Sequence, residues 1–84
     1  MKIIFSTHGW EDYLYWQSTD QKVLKRINSL IKETARTPFQ GTGKPEPLKH
    51  VLGGYWSRRI TDEHRMVYKV EAGSLLIAQL RYHY

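Results

Sequence analysis

The stretch Leu75-Leu76-Ile77-Ala78-Gln79-Leu80-Arg81-Tyr82-His83-Tyr84 decides how the chain folds. It begins as an apolar strand and turns polar towards its end. With a strand's period of two, one face carries Leu75, Ile77, Gln79, Arg81 and His83, and the other carries Leu76, Ala78, Leu80, Tyr82 and Tyr84. Chain ends are usually frayed, yet here three rings and an arginine crowd the last four positions. Tyr82 and Tyr84 read either as core aromatics with His83 as a surface neighbour, or as parts of a site. Upstream, residues 55–61 and 65–71 read as two further strands, separated by Asp62-Glu63-His64 and Ala72-Gly73-Ser74. Met66, Tyr68 and Val70 alternate with Arg65, Val67 and Lys69, which marks the first set as core. A slip of one residue exchanges core and solvent faces, so the apolar sets must agree across strands. Three-residue hairpin loops, with Gly73 in the left-handed region, place that set beside Leu76, Ala78, Leu80 and Tyr82. A two-residue Ala72-Gly73 turn mixes the faces and is rejected on this pattern. The same register puts Trp56 and Ile60 on the core face, with Arg58 as the one misfit.

The first half of the chain reads as a strand and two helices. Lys2 to Phe5 is a short strand, and Ser6 or Thr7 caps a helix running to about Gln17, with Trp10, Tyr13, Leu14 and Trp16 as its apolar side. Ser18-Thr19-Asp20 breaks it and caps a second helix. There Val23, Ile27, Leu30, Ile31 and Thr34 recur at helical spacing, opposite Lys22, Lys25, Arg26, Lys32 and Arg36. That basic side is either solvated or a contact for nucleic acid. Thr37-Pro38 ends the helix, and residues 39–50 read as loop, punctuated by Gly41, Gly43, Pro45 and Pro47. The predicted order is β-α-α-β-β-β: an α+β fold in which an αα-hairpin packs on one face of a mainly antiparallel, twisted sheet.

Eighty-four residues suit one domain, spanning 1–84. The absence of cysteine excludes a disulfide framework and a thiolate metal site, and suits a reducing cytoplasm. The first residues hold too short an apolar run for a signal peptide, and no stretch reaches the ~20 apolar residues of a membrane span. A net charge of +5 favours an acidic or polyanionic partner, and an aromatic content of 13% marks a folded basic domain rather than a charged arm.

The face turned away from the helices holds Tyr55, Ser57, Arg59, Arg65, Lys69, Gln79, Arg81 and His83 in this register. Arg59, Arg65 and Arg81 then fall in a row across three strands. Like charges side by side are destabilising, so the row suits an anion, and guanidinium forks suit phosphate oxygens. The alternative is that these arginines splay into water and pair with Glu63 or Glu71. Glu46 stands between two prolines that stiffen its backbone, flanked by Lys44 and Lys49. It is either a poised base or a surface carboxylate pairing with lysine. No two candidate ligands sit at metal-binding spacing, and no phosphate-cradling glycine loop precedes a helix. No cofactor is implied. The remaining set is one constrained glutamate, one terminal histidine, arginines and tyrosines. It suits RNA cleavage in which a 2′-hydroxyl attacks the adjacent phosphate. A base takes the hydroxyl proton, an acid protonates the leaving 5′-oxygen, and cations surround the phosphorane.

Lys44-Pro45-Glu46-Pro47-Leu48-Lys49-His50, Trp56-Ser57-Arg58-Arg59-Ile60-Thr61, Glu63-His64-Arg65 and Arg81-Tyr82-His83-Tyr84 resemble the Txe/YoeB toxins of the RelE/ParE superfamily. The resemblance runs from Trp10-Glu11-Asp12-Tyr13-Leu14-Tyr15-Trp16 to the last residue, with Val51 and Gly53 where Asn and Ser are expected. It implies a RelE-like, microbial ribonuclease-like fold and the toxin of a type II toxin–antitoxin pair. Such a toxin is a ribosome-dependent endoribonuclease, cutting mRNA in the ribosomal A site without a metal and leaving a 2′,3′-cyclic phosphate. Carried over by position, Glu46 is the general base, His83 the general acid and Arg65 the transition-state stabiliser. Lys49 and Arg59 hold phosphate, and Tyr84 orients the nucleotide; the arginine row on the sheet face adds Arg81 to the candidate substrate contacts. A YefM-type antitoxin, the 70S ribosome and a homodimer are the partners implied. Two other readings stand beside it: a ParE-like toxin that poisons a topoisomerase, and an RNA- or ribosome-binding module without catalysis.

Overall fold

The computed structural model describes residues 1–83. Strand β1 (Lys2–Phe5) leads into α1 (Thr7–Thr19) and α2 (Gln21–Arg36). Three strands expected after the helices are present as β3 (Trp56–Arg59), β4 (Arg65–Glu71) and β5 (Ser74–Gln79), and a fourth, β2 (Glu46–Pro47), precedes them. The five strands form one sheet in the order β1-β5-β4-β3-β2, with β1 parallel to β5 and every other pair antiparallel. The helical hairpin therefore carries the chain from one sheet edge to the other.

Local chemistry sets the helices. The Ser6 hydroxyl accepts from the Gly9 N–H and caps α1. Asp20 both closes α1, through its N–H to Trp16 O, and opens α2, through its carboxylate to the N–H groups of Lys22 and Val23. In α2 the expected stripe is the core face, with Ile27, Leu30, Ile31 and Thr34 buried. Ile27, Leu30 and Ile31 pack with Trp16 of α1 against Ile60, Met66, Tyr68, Leu75, Ile77 and Leu80. The apolar side of α1 differs from expectation: Trp10 and Leu14 are exposed, while Gly9, Asp12 and Trp16 are buried. The reason is close approach. A Cβ on Gly9 would sit 2.4 Å from Ile77 O, so only glycine lets the helix lie this near β5. Trp10 instead stacks on Tyr13 and meets Phe5 edge-on at the rim.

The β4–β5 register corrects the expected loop. Glu71 pairs with Ser74, so the turn is the two-residue Ala72-Gly73, with φ of 50° and 74° as a type I′ turn requires. Tyr68 and Val70 accordingly face Ile77 and Leu75, not Leu76 and Ala78. The pattern misled because the strand is bulged. Tyr68 pairs with Ile77 but Val67 pairs with Gln79, leaving Ala78 as an extra residue. A bulge exchanges the two faces part-way along a strand, so the buried set runs Leu75, Ile77, then Leu80. Gln79 returns to the helix-free face, where it was expected.

Strand β5 also ends earlier than expected. The Leu80 N–H donates to Asp12 Oδ2 at 2.9 Å, and its carbonyl accepts from Trp16 Nε1 at 2.9 Å. Both main-chain groups of Leu80 are thereby turned to α1 and leave the ladder.

Candidate active site

The site begins with the segment that carries Glu46. Arg58, the misfit of the strand pattern, points into the core face and is wholly buried. Its guanidinium donates to the carbonyls of Thr37, Gln40 and Thr42 and to Glu33 Oε2, and its Nε lies 3.3 Å from the Tyr68 hydroxyl. That hydroxyl in turn donates to Pro38 O at 2.6 Å. A single side chain thus fastens the loop after α2 to the sheet. Farther along, the Arg59 N–H donates to Gly43 O at 2.7 Å, and Glu46 then pairs with Ser57 at the sheet edge. Prolines are tolerated there because an edge strand has one side without ladder bonds.

On the helix-free face, register places Glu46, Ser57 and Val67 abreast, with Arg59 opposite Arg65 on the neighbouring pair. Arg65 Nη1 stands 3.5 Å from both Glu46 Oε1 and Ser57 Oγ. The Arg65 side chain keeps 16% of its surface exposed and Glu46 keeps 51%, so the glutamate is half exposed and the arginine mostly enclosed. Lys49 follows at the start of a 3₁₀ turn over His50–Leu52, and a groove of about 330 Å³ runs along Glu46, Pro47, Leu48, Lys49 and His50.

The expected row of three arginines contains two. Arg59 and Arg65 face each other, but the Arg81 guanidinium lies 3.6 Å over the Tyr15 ring of α1. The strand has ended at Gln79, so alternation no longer aims the residues beyond it. His83 is exposed, and its carbonyl accepts from Gln79 Nε2 at 3.0 Å. The same amide donates to Arg81 O at 2.7 Å, so Gln79 draws the last described residues towards the face that holds Arg65. Tyr84 lies outside the described residues. The sequence places His64 in a loop and marks no role for Gln79, yet His64 Nδ1 accepts from the Tyr82 N–H and the Gln79 amide binds the carbonyls of Arg81 and His83.

A family model described as the YoeB-like toxin of bacterial type II toxin–antitoxin systems matches residues 5–84. The chain belongs to this family. The Toxin YoeB of Escherichia coli K12 is 67% identical over 84 residues, covering the whole of both chains. A solved YoeB/ParE toxin from Agrobacterium tumefaciens superposes with a TM-score of 0.96 at 51% identity, again over the whole of both chains. YoeB from Staphylococcus aureus has been solved as a dimer and in complex with YefM. Those structures match this YoeB-family chain with TM-scores of 0.92 and 0.91 at 48% and 47% identity, over 100% of this chain and 98% of theirs.

Proposed function

We propose that this YoeB-family toxin is a ribosome-dependent endoribonuclease that cuts mRNA in the ribosomal A site. The observation that supports it most directly is the Glu46–Arg65 pair, 3.5 Å apart on the helix-free face, with Arg59 beside it. In this reading Glu46 takes the proton of a 2′-hydroxyl as that oxygen attacks the adjacent phosphorus. The bond to the 5′-oxygen breaks, His83 delivers a proton to the leaving oxygen, and a 2′,3′-cyclic phosphate remains. Arg65 stabilises the charge that builds on the phosphorane, Lys49 and Arg59 hold the flanking phosphates, and Tyr84 orients the nucleotide. Preorganised cations at the site of developing charge are worth more than the same groups in water. A YefM-type antitoxin, a homodimer and a cytoplasmic setting complete the proposal. They are suggested by the S. aureus relatives, by the lack of cysteine, and by the absence, among the described residues, of any helix long and apolar enough to cross a membrane.

The test is primer extension on ribosome-bound mRNA. Wild-type protein is expected to give cuts at A-site codons, and Glu46→Gln and His83→Ala each to slow them by roughly 10²–10⁴-fold, the usual worth of a general base or acid. Full-rate cutting by both variants would refute the assignments. Intact mRNA together with inhibited supercoiling by gyrase would instead identify a topoisomerase poison.

A further inference from the structure

The residues just before the end of the described chain are held one main-chain group at a time. Beyond Leu80, the Tyr82 carbonyl accepts from the Arg65 N–H at 3.1 Å, and the Tyr82 N–H donates to His64 Nδ1 at 2.7 Å. Both main-chain polar groups of Tyr82 are therefore taken by two consecutive residues, the last of the β3–β4 connection and the first of β4. Tyr82 sits at φ 59°, in the left-handed region that a tyrosine rarely adopts and that persists where surrounding contacts dictate it. His64 is itself immobilised. Its carbonyl accepts from the N–H groups of Ile60 and Thr61, its N–H donates to Thr61 Oγ1 at 3.1 Å, and its ring packs edge-on against Trp16 at 4.8 Å. An imidazole nitrogen that accepts a main-chain N–H carries no proton, so the proton of neutral His64 belongs on Nε2.

We infer that His64 is a positioning residue for the reaction. By accepting at Nδ1 from the Tyr82 N–H, it holds Tyr82, the residue before His83, in place while the Arg65 N–H binds the carbonyl of Tyr82, and so places the acid and the phosphate-stabilising arginine in one frame. This rests on the reading of His83 as the general acid. His64 touches no reacting atom. Its effect travels through one main-chain bond to the residue before His83, and a misplacement of about 1 Å at a catalytic group is enough to cost on the order of 100-fold in rate. Ring packing against Trp16 and Tyr82 is a separate role that any flat side chain supplies.

Two variants separate these roles. His64→Phe keeps a ring and removes the acceptor; His64→Asn loses the ring and offers a side-chain oxygen near the place of Nδ1. Single-turnover cleavage on programmed ribosomes is expected to be at least about tenfold slower for His64→Phe at saturating ribosome, with half-saturation moved less than about twofold. His64→Asn is expected to recover most of the rate. Equal rates for His64→Phe and wild type, or a His64→Asn variant as slow as His64→Phe, would overturn the proposal. Should His64→Phe not fold, the Asn variant and the imidazole tautomer of wild type still decide. Long-range ¹⁵N–¹H correlation is expected to show the proton on Nε2, and a proton on Nδ1 would overturn the clamp. Wild-type protein that cuts nothing would defeat the reading of the site, whereas the tautomer judges the clamp independently.

Discussion

Arg58 has no exposed surface and binds three carbonyls, a carboxylate and a phenol. Removing it strands those carbonyls and leaves Glu33 without its cation. Arg58→Met is expected to lower stability by about 3 kcal/mol, within the range for breaking a buried, hydrogen-bonded ion pair. A urea melt checks this, and loosening of the loop that carries Glu46 is expected to slow the proposed cleavage as well. Glu33 bears on acid stability. The Thr42 N–H, then the Thr42 hydroxyl, then Arg58 hold its carboxyl below the usual value near 4.5. A depressed pKa in the folded state contributes stability that is complete above the unfolded value and disappears as pH falls through the folded one. Wild type and Glu33→Gln are therefore expected to differ most above pH ~4.5 and to converge in stronger acid. Parallel curves at all pH values would contradict this. Tyr68 shows the opposite effect: burial pushes its phenol up, against the hydrogen bond and charge of Arg58.

At the scale of elements, the β4–β5 hairpin shows how a two-residue turn and a bulge act together. The type I′ turn sets Val70 against Leu75, and the extra Ala78 moves the inward series from Ile77 to Leu80. Alanine is a poor choice for a left-handed position, which costs an ordinary L-residue roughly 1–2 kcal/mol. Ala72→Asn, giving an Asn-Gly turn, is expected to stabilise the protein by about 0.5–1 kcal/mol without changing the fold. Thermal melts would show a higher midpoint, and a lower one would count against the turn assignment. Helix α1 acts mainly through side chains that reach past the ladder. Asp12 and Trp16 end β5 by binding both main-chain groups of Leu80, and Tyr15 stacks under Arg81. The direction of the terminal segment is thus set by a helix about 65 residues earlier in sequence, a long-range arrangement that local pattern does not encode.

For the molecule as a whole, the division of labour is between two faces of one sheet. One face takes the helices and nearly all the apolar burial; the other carries Glu46, Ser57, Arg59, Arg65 and Gln79. The chain carries a surplus of positive charge, +5, and counterion release makes association with a polyanion salt-dependent. In the proposed function, affinity for the ribosome is expected to fall by an order of magnitude or more between about 50 and 200 mM salt, as filter binding or light scattering would show. A flat response would place the recognition on uncharged contacts.

The α2 stripe, the Asp20 cap, the three C-terminal strands and the helix-free placement of Arg59, Arg65 and Gln79 were all legible in the sequence, because each follows from the spacing of neighbouring residues. So was the peculiarity of Glu46 between two prolines, which limits backbone freedom locally. The bulge at Ala78, the burial of Arg58 and the diversion of Arg81 to Tyr15 were not. Each depends on what lies opposite in space, and a period of two holds no information about an inserted residue or a partner across the core. His64 belongs with them: its role exists only because the bend at Arg81 and Tyr82 brings the Tyr82 N–H to 2.7 Å from its Nδ1.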